Sequence, residues 1–433
     1  MFIWNASGRC PKGKASVRDE LKKIVQNRLF IGALAVCFIA MTVMTAVALY
    51  GYNTGTRGRF SIPLLKGERP QTVFVSADSI DGLKRAVDDF ENRDEIYYRD
   101  EDEMMKEYAD GGSAYFGKYD VDISGLIFKL EKGEITEQEL DSIASSQEHK
   151  AIRKEFLPEY IKLYWPVSEY ENIERNIEHC EWQSADPSVT QYMRDYNGFL
   201  AEKNRKMLQT GFNSGYDYGW ENFYGLLSED VGIFIALIII FGLCGVFTSE
   251  YAMSTDALLL SGKKGRGMLA WGKIAASLIY TTVCFAAYAL LALLISFAFL
   301  GVQGMNAGQG ESHLTKLFTV LPYILLGCYL LCFITLAVSS VCKKLITSAA
   351  VSGFICILPF ISQMLFYIEN PYLSQLVEVM PVNMVFGTYI SSQRYVYLSG
   401  SFTDIRHFFP LVAAAVSAVC LPVIYKKYTR HEV

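Results

Sequence analysis

The residues that could carry chemistry are few, and they match no catalytic pattern. His149 and His179 occur singly among charged residues, where a solvated surface histidine is the ordinary case. The pair Asp88-Asp89 and the acidic run at 100–103 could bind calcium, but they lack the spacing of an EF-hand loop. A solvated helix face accounts for them better. The sequence therefore predicts no catalytic residues and no metal site.

A nucleotide-binding loop is also absent from the sequence. The run at 262–265 has two glycines and two lysines, but it lacks the upstream glycine and the following hydroxyl that a phosphate loop requires. Motifs of kinases, serine hydrolases and zinc proteases do not occur. The net charge is −5, and no basic stripe is present that could follow a nucleic-acid backbone. We expect no cofactor bound by this chain and no nucleic-acid partner.

The segment from Glu250 to Arg266 is the most informative polar stretch. Glu250 favours the start of a helix, three leucines at 258–260 supply apolar anchors, and two glycines end the element. A short helix with exposed apolar residues suits docking into the groove of a partner protein. An ordinary helix at the membrane interface explains the same pattern equally well.

Six apolar runs must position this segment, and each is close to the length of about 20 residues that crosses a bilayer. They lie at 29–52, 231–247, 274–300, 317–341, 345–368 and 408–425. The first run could also be a signal peptide, since Ala46-Val47-Ala48 resembles a cleavage site. Its length and its long basic leader favour an uncleaved helix.

Basic residues flank alternate runs, and an excess of Lys and Arg marks the cytoplasmic side. They predict that segment 1–28 and the tail 426–433 are cytoplasmic and that the acidic block 53–230 lies outside. A single cysteine in that block, Cys180, cannot form an internal disulfide, which favours a bacterial plasma membrane. The expected partners include membrane lipid, and the expected protein is multi-pass.

The acidic block is predicted to fold into a mainly helical domain with little strand. Residues 73–75 read as a short strand, and two capping-box pairs predict helix starts, Thr136 with Glu139 and Ser168 with Glu171. Prolines are expected to divide the helices, at positions 63, 70, 158, 166 and 187. The predicted fold class is thus an all-α membrane protein with six transmembrane helices and this extracytoplasmic domain between the first two.

The link at 369–407 is apolar but is broken by Pro371 and Pro381, so it is too interrupted to span twice. A pair of interfacial or re-entrant helices is expected there. The six runs hold almost no ionisable residues, which argues against ion-coupled transport. Lys273 lies at the boundary of the third run, where its side chain is predicted to snorkel to water.

These features resemble the membrane subunits of type-2 ABC transporter permeases, the ABC-2-type exporter family. The family pattern has a Glu at the end of the second span, a small-residue turn, a Leu pair, a hydroxyl, a basic residue and a Lys entering the third span. This chain matches it in order at Glu250, Thr255, Leu258, Leu259, Leu260, Ser261, Arg266 and Lys273. It departs at Ser254 and at Gly262, where the family often has Gly and Pro. The acidic block is not explained by the pattern.

The resemblance implies a permease without its own ATP site, working as a homodimer or as a heterodimer with a second permease. A separate ABC ATP-binding subunit would hold ATP-Mg and act on segment 249–266 as a coupling helix. The implied activity is export of an amphipathic peptide, antibiotic or lipid-like substrate by alternating access within the spans at 231–425.

Two other hypotheses are compatible with parts of the sequence. A receptor or sensor could bind cationic ligands with the acidic, Tyr-rich block at 53–230 and signal through the spans. A membrane-bound enzyme could carry a site in the same block, although no catalytic constellation supports it. Loss of all function on deletion of the block would favour the receptor.

Overall fold

The structure is a computed structural model, and most of the residues that it describes are helical. It describes residues 17–26, 28–54, 57, 62, 69–93, 96–99, 113–117, 136, 138, 149–153, 156–252, 266–365, 375, 377–387, 395–398 and 400–429. The α-helices in chain order are α1 Val17–Val25, α2 Arg28–Thr54, α3 Ile80–Glu91, α4 Leu157–Ala185, α5 Gln191–Thr210, α6 Tyr218–Leu227, α7 Glu229–Leu243, α8 Gly245–Ala252, α9 Arg266–Leu300, α10 His313–Val341, α11 Leu345–Leu365, α12 Pro381–Phe386 and α13 Phe409–Thr429.

Within the described residues, seven short strands form three antiparallel sheets. The strands are β1 Val73–Val75, β2 Ile96–Arg99, β3 Ser113–Gly117, β4 His149–Arg153, β5 Phe212–Ser214, β6 Tyr395–Leu398 and β7 Ser401–Asp404. β1 pairs with β5, β4 lies between β2 and β3, and β6 and β7 form a hairpin. The predicted strand at 73–75 is therefore confirmed, while the central sheet was not predicted.

The chain divides into two compact units. The first unit comprises Met1–Thr45, Phe223–Ile295 and Thr319–Val433, and the second comprises Ala46–Asn222 and Ser296–Phe318. Each unit brings together segments that are far apart in the sequence. Long-range packing, more than local sequence, therefore decides which polar residues meet.

The second unit is built on the antiparallel pair α4 and α5, which pack along their length. Pro158 suits the first turn of α4, because no intrahelical partner is needed for its missing N–H. The Thr190 hydroxyl caps α5 by accepting from the amide of Met193. The hydrophobic core of this unit is rich in aromatic side chains and includes Tyr160 and Trp165, each 1% exposed.

Two expectations about α4 were wrong. Pro166 does not divide the helix but lies inside it and is buried. Ser168 is a buried residue in the middle of the same helix and so cannot be an N-cap with Glu171. Core packing of the flanking residues outweighs the hydrogen bond that a mid-helix proline removes. Of the other capping-box pair, Glu139 lies outside the described residues.

Four of the described helical stretches are long and apolar enough to cross a membrane. They are Tyr218–Tyr251, Gly267–Leu300, His313–Val341 and Ile405–Thr429, and each contains one predicted run. The fifth predicted run starts at the first residue of α11. The apolar part of this helix, Leu345–Leu358, is shorter than the four stretches above. The first run falls in α2, which has 27 residues and exposes Phe38 and Ile39. The count of six spans and the sidedness of the domain stay predictions.

The link before the last span differs in part from its expected helix pair. Within its described residues it holds the short buried helix α12 and then the β6–β7 hairpin. Tyr397 and Phe402 pair across the strands with ring centroids 5.0 Å apart, a contact that favours a hairpin. Residues 375, 377 and 378 of the link are also helical, so the described helical residues agree with the expectation, and the hairpin after them was not predicted.

Glycines seat α12 within the first unit. A Cβ on Gly327 of α10 would lie 2.7 Å from the Met384 Cβ, and one on Gly232 of α7 would lie 3.0 Å from the Phe386 Cα. No side chain fits at either position without moving a backbone. Small residues at such points allow membrane helices to approach closely.

Candidate functional site

Four helices of the first unit bring charged and polar side chains to one buried point. Glu250 lies near the end of α8, and Lys273 lies in the early turns of α9. Glu20 comes from α1, and Tyr428 comes from the last turn of α13. We call these four residues the buried charge cluster. They lie far apart in the sequence, so only the tertiary fold assembles them.

Lys273 is the centre of the buried charge cluster. Its Nζ lies 2.8 Å from the Glu250 Oε1 and 3.4 Å from the Glu20 Oε2. The same ammonium donates to the carbonyl of Val246 at 2.7 Å and stands 5.3 Å from the Phe247 ring centroid. Two carboxylates, a carbonyl oxygen and an aromatic face therefore surround the buried ammonium.

The two carboxylates have further partners. The Tyr428 hydroxyl donates to the Glu250 Oε2 at 3.0 Å, and the exposed Lys23 forms an ion pair with the Glu20 Oε1 at 2.8 Å. Burial raises the pKa of Glu20, but attraction by Lys273 and the hydrogen bond from Lys23 outweigh it, so the net pKa lies below its usual range. Glu20 is thus ionised at neutral pH.

Burial makes this arrangement costly to disturb. Lys273 is 1% exposed, while Glu20 and Glu250 are each 5% exposed. Charges taken out of water are tolerated only when partners replace the solvent, and removal of one partner leaves a stranded charge. The buried charge cluster therefore holds its four helices in one arrangement or has to be rehydrated as a whole.

The prediction that Lys273 snorkels to water is wrong. Its side chain turns inward, because two carboxylates and a carbonyl replace the water that its ammonium would otherwise seek. The hydropathy pattern locates this lysine at a span boundary but carries no information on its partners. Those partners come from α1 and α8, and only the fold reveals them.

The predicted coupling residues divide into two sets. Glu250 and Lys273 meet in the buried charge cluster, and Arg266 is the first residue of α9. The others lie outside the described residues, namely Thr255, Leu258, Leu259, Leu260 and Ser261. The Glu250–Lys273 ion pair therefore joins α8, which ends before residue 253, to α9, which begins at Arg266.

Sequence reasoning missed Glu20 and Tyr428. Glu20 is an acidic residue in a mostly basic N-terminal segment, and α1, which contains it, is a strongly amphipathic helix. That combination is a signal that this helix packs on something through a face containing Ile24 and Glu20, both buried. Tyr428 had no comparable signal, because tyrosine is common at span ends.

A second buried polar cluster lies within the second unit. The Asp217 Oδ2 lies 2.8 Å from the His313 Nε2, and the imidazole stacks on Trp220 with centroids 5.9 Å apart. Arg69 donates to the carbonyl of Leu300 at 2.7 Å, and the Tyr216 hydroxyl donates to the same oxygen at 3.0 Å. We call these residues the loop clamp, because they hold both ends of the loop between α9 and α10.

The described residues contain no group of three His, Cys, Asp or Glu side chains that could hold a metal ion. The loop clamp does not form a catalytic set either. Asp217 contacts His313, whose ring stacks on Trp220, and Asn222 donates to the Ser296 hydroxyl at 2.8 Å within the same unit. Its polar contacts position a loop.

A comparison with known protein families identifies the family of this chain. The family model described as ABC-2 family transporter protein matches residues 15–424. The chain belongs to the ABC-2 transporter family. The match includes Glu20, Glu250 and Lys273 of the buried charge cluster and ends four residues before Tyr428. No curated protein and no solved structure matches the chain significantly.

Membership of the ABC-2 family confirms the resemblance that the sequence suggested. It identifies the chain as a multi-pass membrane protein of ABC transporters, a membrane subunit in a family that implies partnership with an ABC ATPase subunit. The hypothesis of a receptor with a ligand-binding domain gains no support from the match.

Proposed function

We propose that this chain is the permease subunit of an ABC exporter, driven by a separate ATPase that docks on residues 253–265. One observation carries the proposal. The Glu250–Lys273 ion pair, at 2.8 Å, joins the helix that precedes this segment to the helix that follows it. A force on the segment therefore reaches both helices together.

The docking surface of the segment is apolar by sequence. Leu258, Leu259 and Leu260 would fill a groove on the ATPase, while Thr255 and Ser261 flank them. Arg266, at the first turn of α9, adds a charge beside the groove. ATP-Mg would be held by the partner subunit, since this sequence has no phosphate loop.

The buried charge cluster would pass the movement to four helices. Burial prevents Lys273 from exchanging its partners for water gradually, so α1, α8, α9 and α13 shift as a packed group. Such rigid-body motion between two packings is the usual basis of a conformational switch. Alternating access in this permease would follow from ATP-driven displacement of this group.

The proposed topology has six spans, with both termini and residues 253–265 in the cytoplasm. The four long apolar stretches supply four of the spans, and α2 and α11 supply the first and the fifth. The basic residues after the second, fourth and sixth spans support this sidedness. The acidic block at 53–230 would then lie outside a bacterial plasma membrane.

The substrate proposed is amphipathic, such as a peptide, an antibiotic or a lipid-like molecule. Many exposed side chains on the described spans are apolar, for example Val283, Leu290 and Leu294 on α9. A charged solute would find no compensating groups along such a surface. A second permease copy, identical or homologous, would complete the pathway.

The experiment is co-expression of the chain with its ATPase and measurement of copurification and ATP hydrolysis in nanodiscs. The double variant Leu258→Asp/Leu260→Asp is expected to lose the ATPase during purification. Glu250→Gln should keep the complex but lower substrate-stimulated hydrolysis about tenfold, because the link between α8 and α9 loses its charge. Lys344→Gln is the control, since this exposed lysine lies in no cluster.

Retention of the ATPase by the double Asp variant, together with unchanged stimulation in Glu250→Gln, would contradict the proposal. Cysteine labelling of Gly262→Cys tests the topology separately. Modification by an impermeant reagent in intact cells would place the segment outside and remove the docking surface from the ATPase.

A further inference from the structure

A cavity of about 570 Å³ opens in the first unit at the ends of α8, α10 and α13. Three lysines line it, Lys343 just after α10 and Lys426 and Lys427 in the last turn of α13. Among the described residues that line it there is no Asp or Glu. The volume is within the range of pockets that hold small ligands.

The positive charge of this cavity is not neutralised within the described part of the chain. No ion pair with a described residue involves any of these three lysines, and all three are exposed. The C-termini of α10 and α13 each contribute about half a negative charge, so a positive charge of about two remains. Such a site favours an anion with more than one oxygen acceptor.

Part of the cavity wall is apolar. Val341, Val423 and Tyr251 line it, and the Tyr251 hydroxyl donates a hydrogen bond to the Ser340 carbonyl at 3.3 Å. A free phosphate would leave these surfaces uncovered. A phospholipid would place its phosphate among the lysines and its glycerol and first methylenes on the valines.

We propose that this cavity binds the headgroup of an anionic phospholipid of the surrounding membrane. Lys343, Lys426 and Lys427 contact the phosphate, and Val341 and Val423 contact the lipid backbone. The lysines approach one cavity from two places, Lys343 from the segment after α10 and Lys426 and Lys427 from the last turn of α13. Binding itself does not depend on the ATPase; only its placement in the inner leaflet rests on the proposed topology.

The test uses the full chain purified in mild detergent without an ATPase, so its result is independent of the proposed transport function. Binding of phosphatidylglycerol, phosphatidylcholine with the same acyl chains, and free glycerol phosphate is measured by native mass spectrometry. Phosphatidylglycerol is expected to bind at least about tenfold more tightly than either, since each lysine near a lipid phosphate contributes severalfold. Equal binding of phosphatidylcholine would overturn the proposal, as would glycerol phosphate binding as tightly as the lipid.

Lysine variants distinguish binding in the cavity from a general attraction of anionic lipid to exposed lysines. The triple variant Lys343→Gln/Lys426→Gln/Lys427→Gln should lose the preference for phosphatidylglycerol. The matched control removes three other exposed lysines, as Lys22→Gln/Lys206→Gln/Lys344→Gln, and should keep it. An equal loss in the control would overturn the proposal.

A steric variant keeps the test decisive if the triple variant does not fold. Val423→Trp fills the cavity without any change in charge and should lower the affinity for phosphatidylglycerol at least about fivefold. Undiminished binding by a folded Val423→Trp protein would show that the lipid does not enter the cavity.

Discussion

The buried charge cluster and the loop clamp both bury polar side chains, but they solve different physical problems. In the first, one ammonium is shared by two carboxylates that come from separate helices. In the second, Arg69 and Tyr216 converge on a single backbone carbonyl and fix a loop. A shared buried charge couples helices to one another, whereas hydrogen bonds to a main-chain oxygen determine where one loop runs.

The difference also shows in the surroundings of each group. The loop clamp lies within an aromatic environment, where burial raises the pKa of Tyr216 to about 12 despite the nearby Arg69. That tyrosine therefore stays neutral at any physiological pH. In the buried charge cluster, Glu20 keeps its charge although it is almost fully buried. The first unit thus maintains charge at a buried point, as the proposed coupling of its helices requires.

The largest expected effect comes from removing the shared cation. Lys273→Met fills a similar volume but removes the cation that two buried carboxylates share, so the unfolding free energy should fall by about 3–5 kcal/mol. Thermal unfolding of the chain in detergent measures it. Lys344→Gln, which removes an exposed lysine, should change the midpoint little. A Lys273→Met protein as stable as the parent would mean that the cluster is hydrated and does not couple the helices.

A matched pair of tyrosine variants sharpens the comparison. Tyr428→Phe removes a hydrogen bond to a carboxylate and should cost about 1.5–3 kcal/mol, whereas Tyr216→Phe removes one to a carbonyl and should cost about 0.5–1.5 kcal/mol. The same unfolding assay ranks them. Only Tyr428→Phe should also reduce substrate-stimulated ATP hydrolysis in the assembled transporter. The reverse order would place the coupling role in the second unit.

The smallest expected effect is a loss of folding stability at low pH. Because the pKa of Glu20 is lowered on folding, its contribution to stability is complete above its unfolded value near 4.3 and is lost as pH falls through the folded value. Unfolding midpoints between pH 7 and pH 3 should therefore fall less steeply in Glu20→Gln than in the parent. Identical slopes would show that Glu20 has the same pKa in both states.

Hydropathy alone located the spans that the structure describes, because a stretch of apolar residues long enough to cross a bilayer is unmistakable. Two of the predicted coupling residues, Glu250 and Lys273, form one ion pair in the structure, while their coupling role stays a prediction. What the sequence could not provide was the inward turn of Lys273 or its second partner Glu20, since both depend on contacts between distant segments. The β6–β7 hairpin was missed because an apolar link with prolines fits helices and strands alike.

The seat of α12 has a consequence for how the first unit can move. At Gly232 and Gly327 the helix α12 meets bare main chain, with no side chain that could rotate out of the way. Close-packed backbones resist sliding, because a small displacement already forces atoms into overlap. We therefore expect α12 to travel together with α7 and α10 as one rigid piece when the first unit moves.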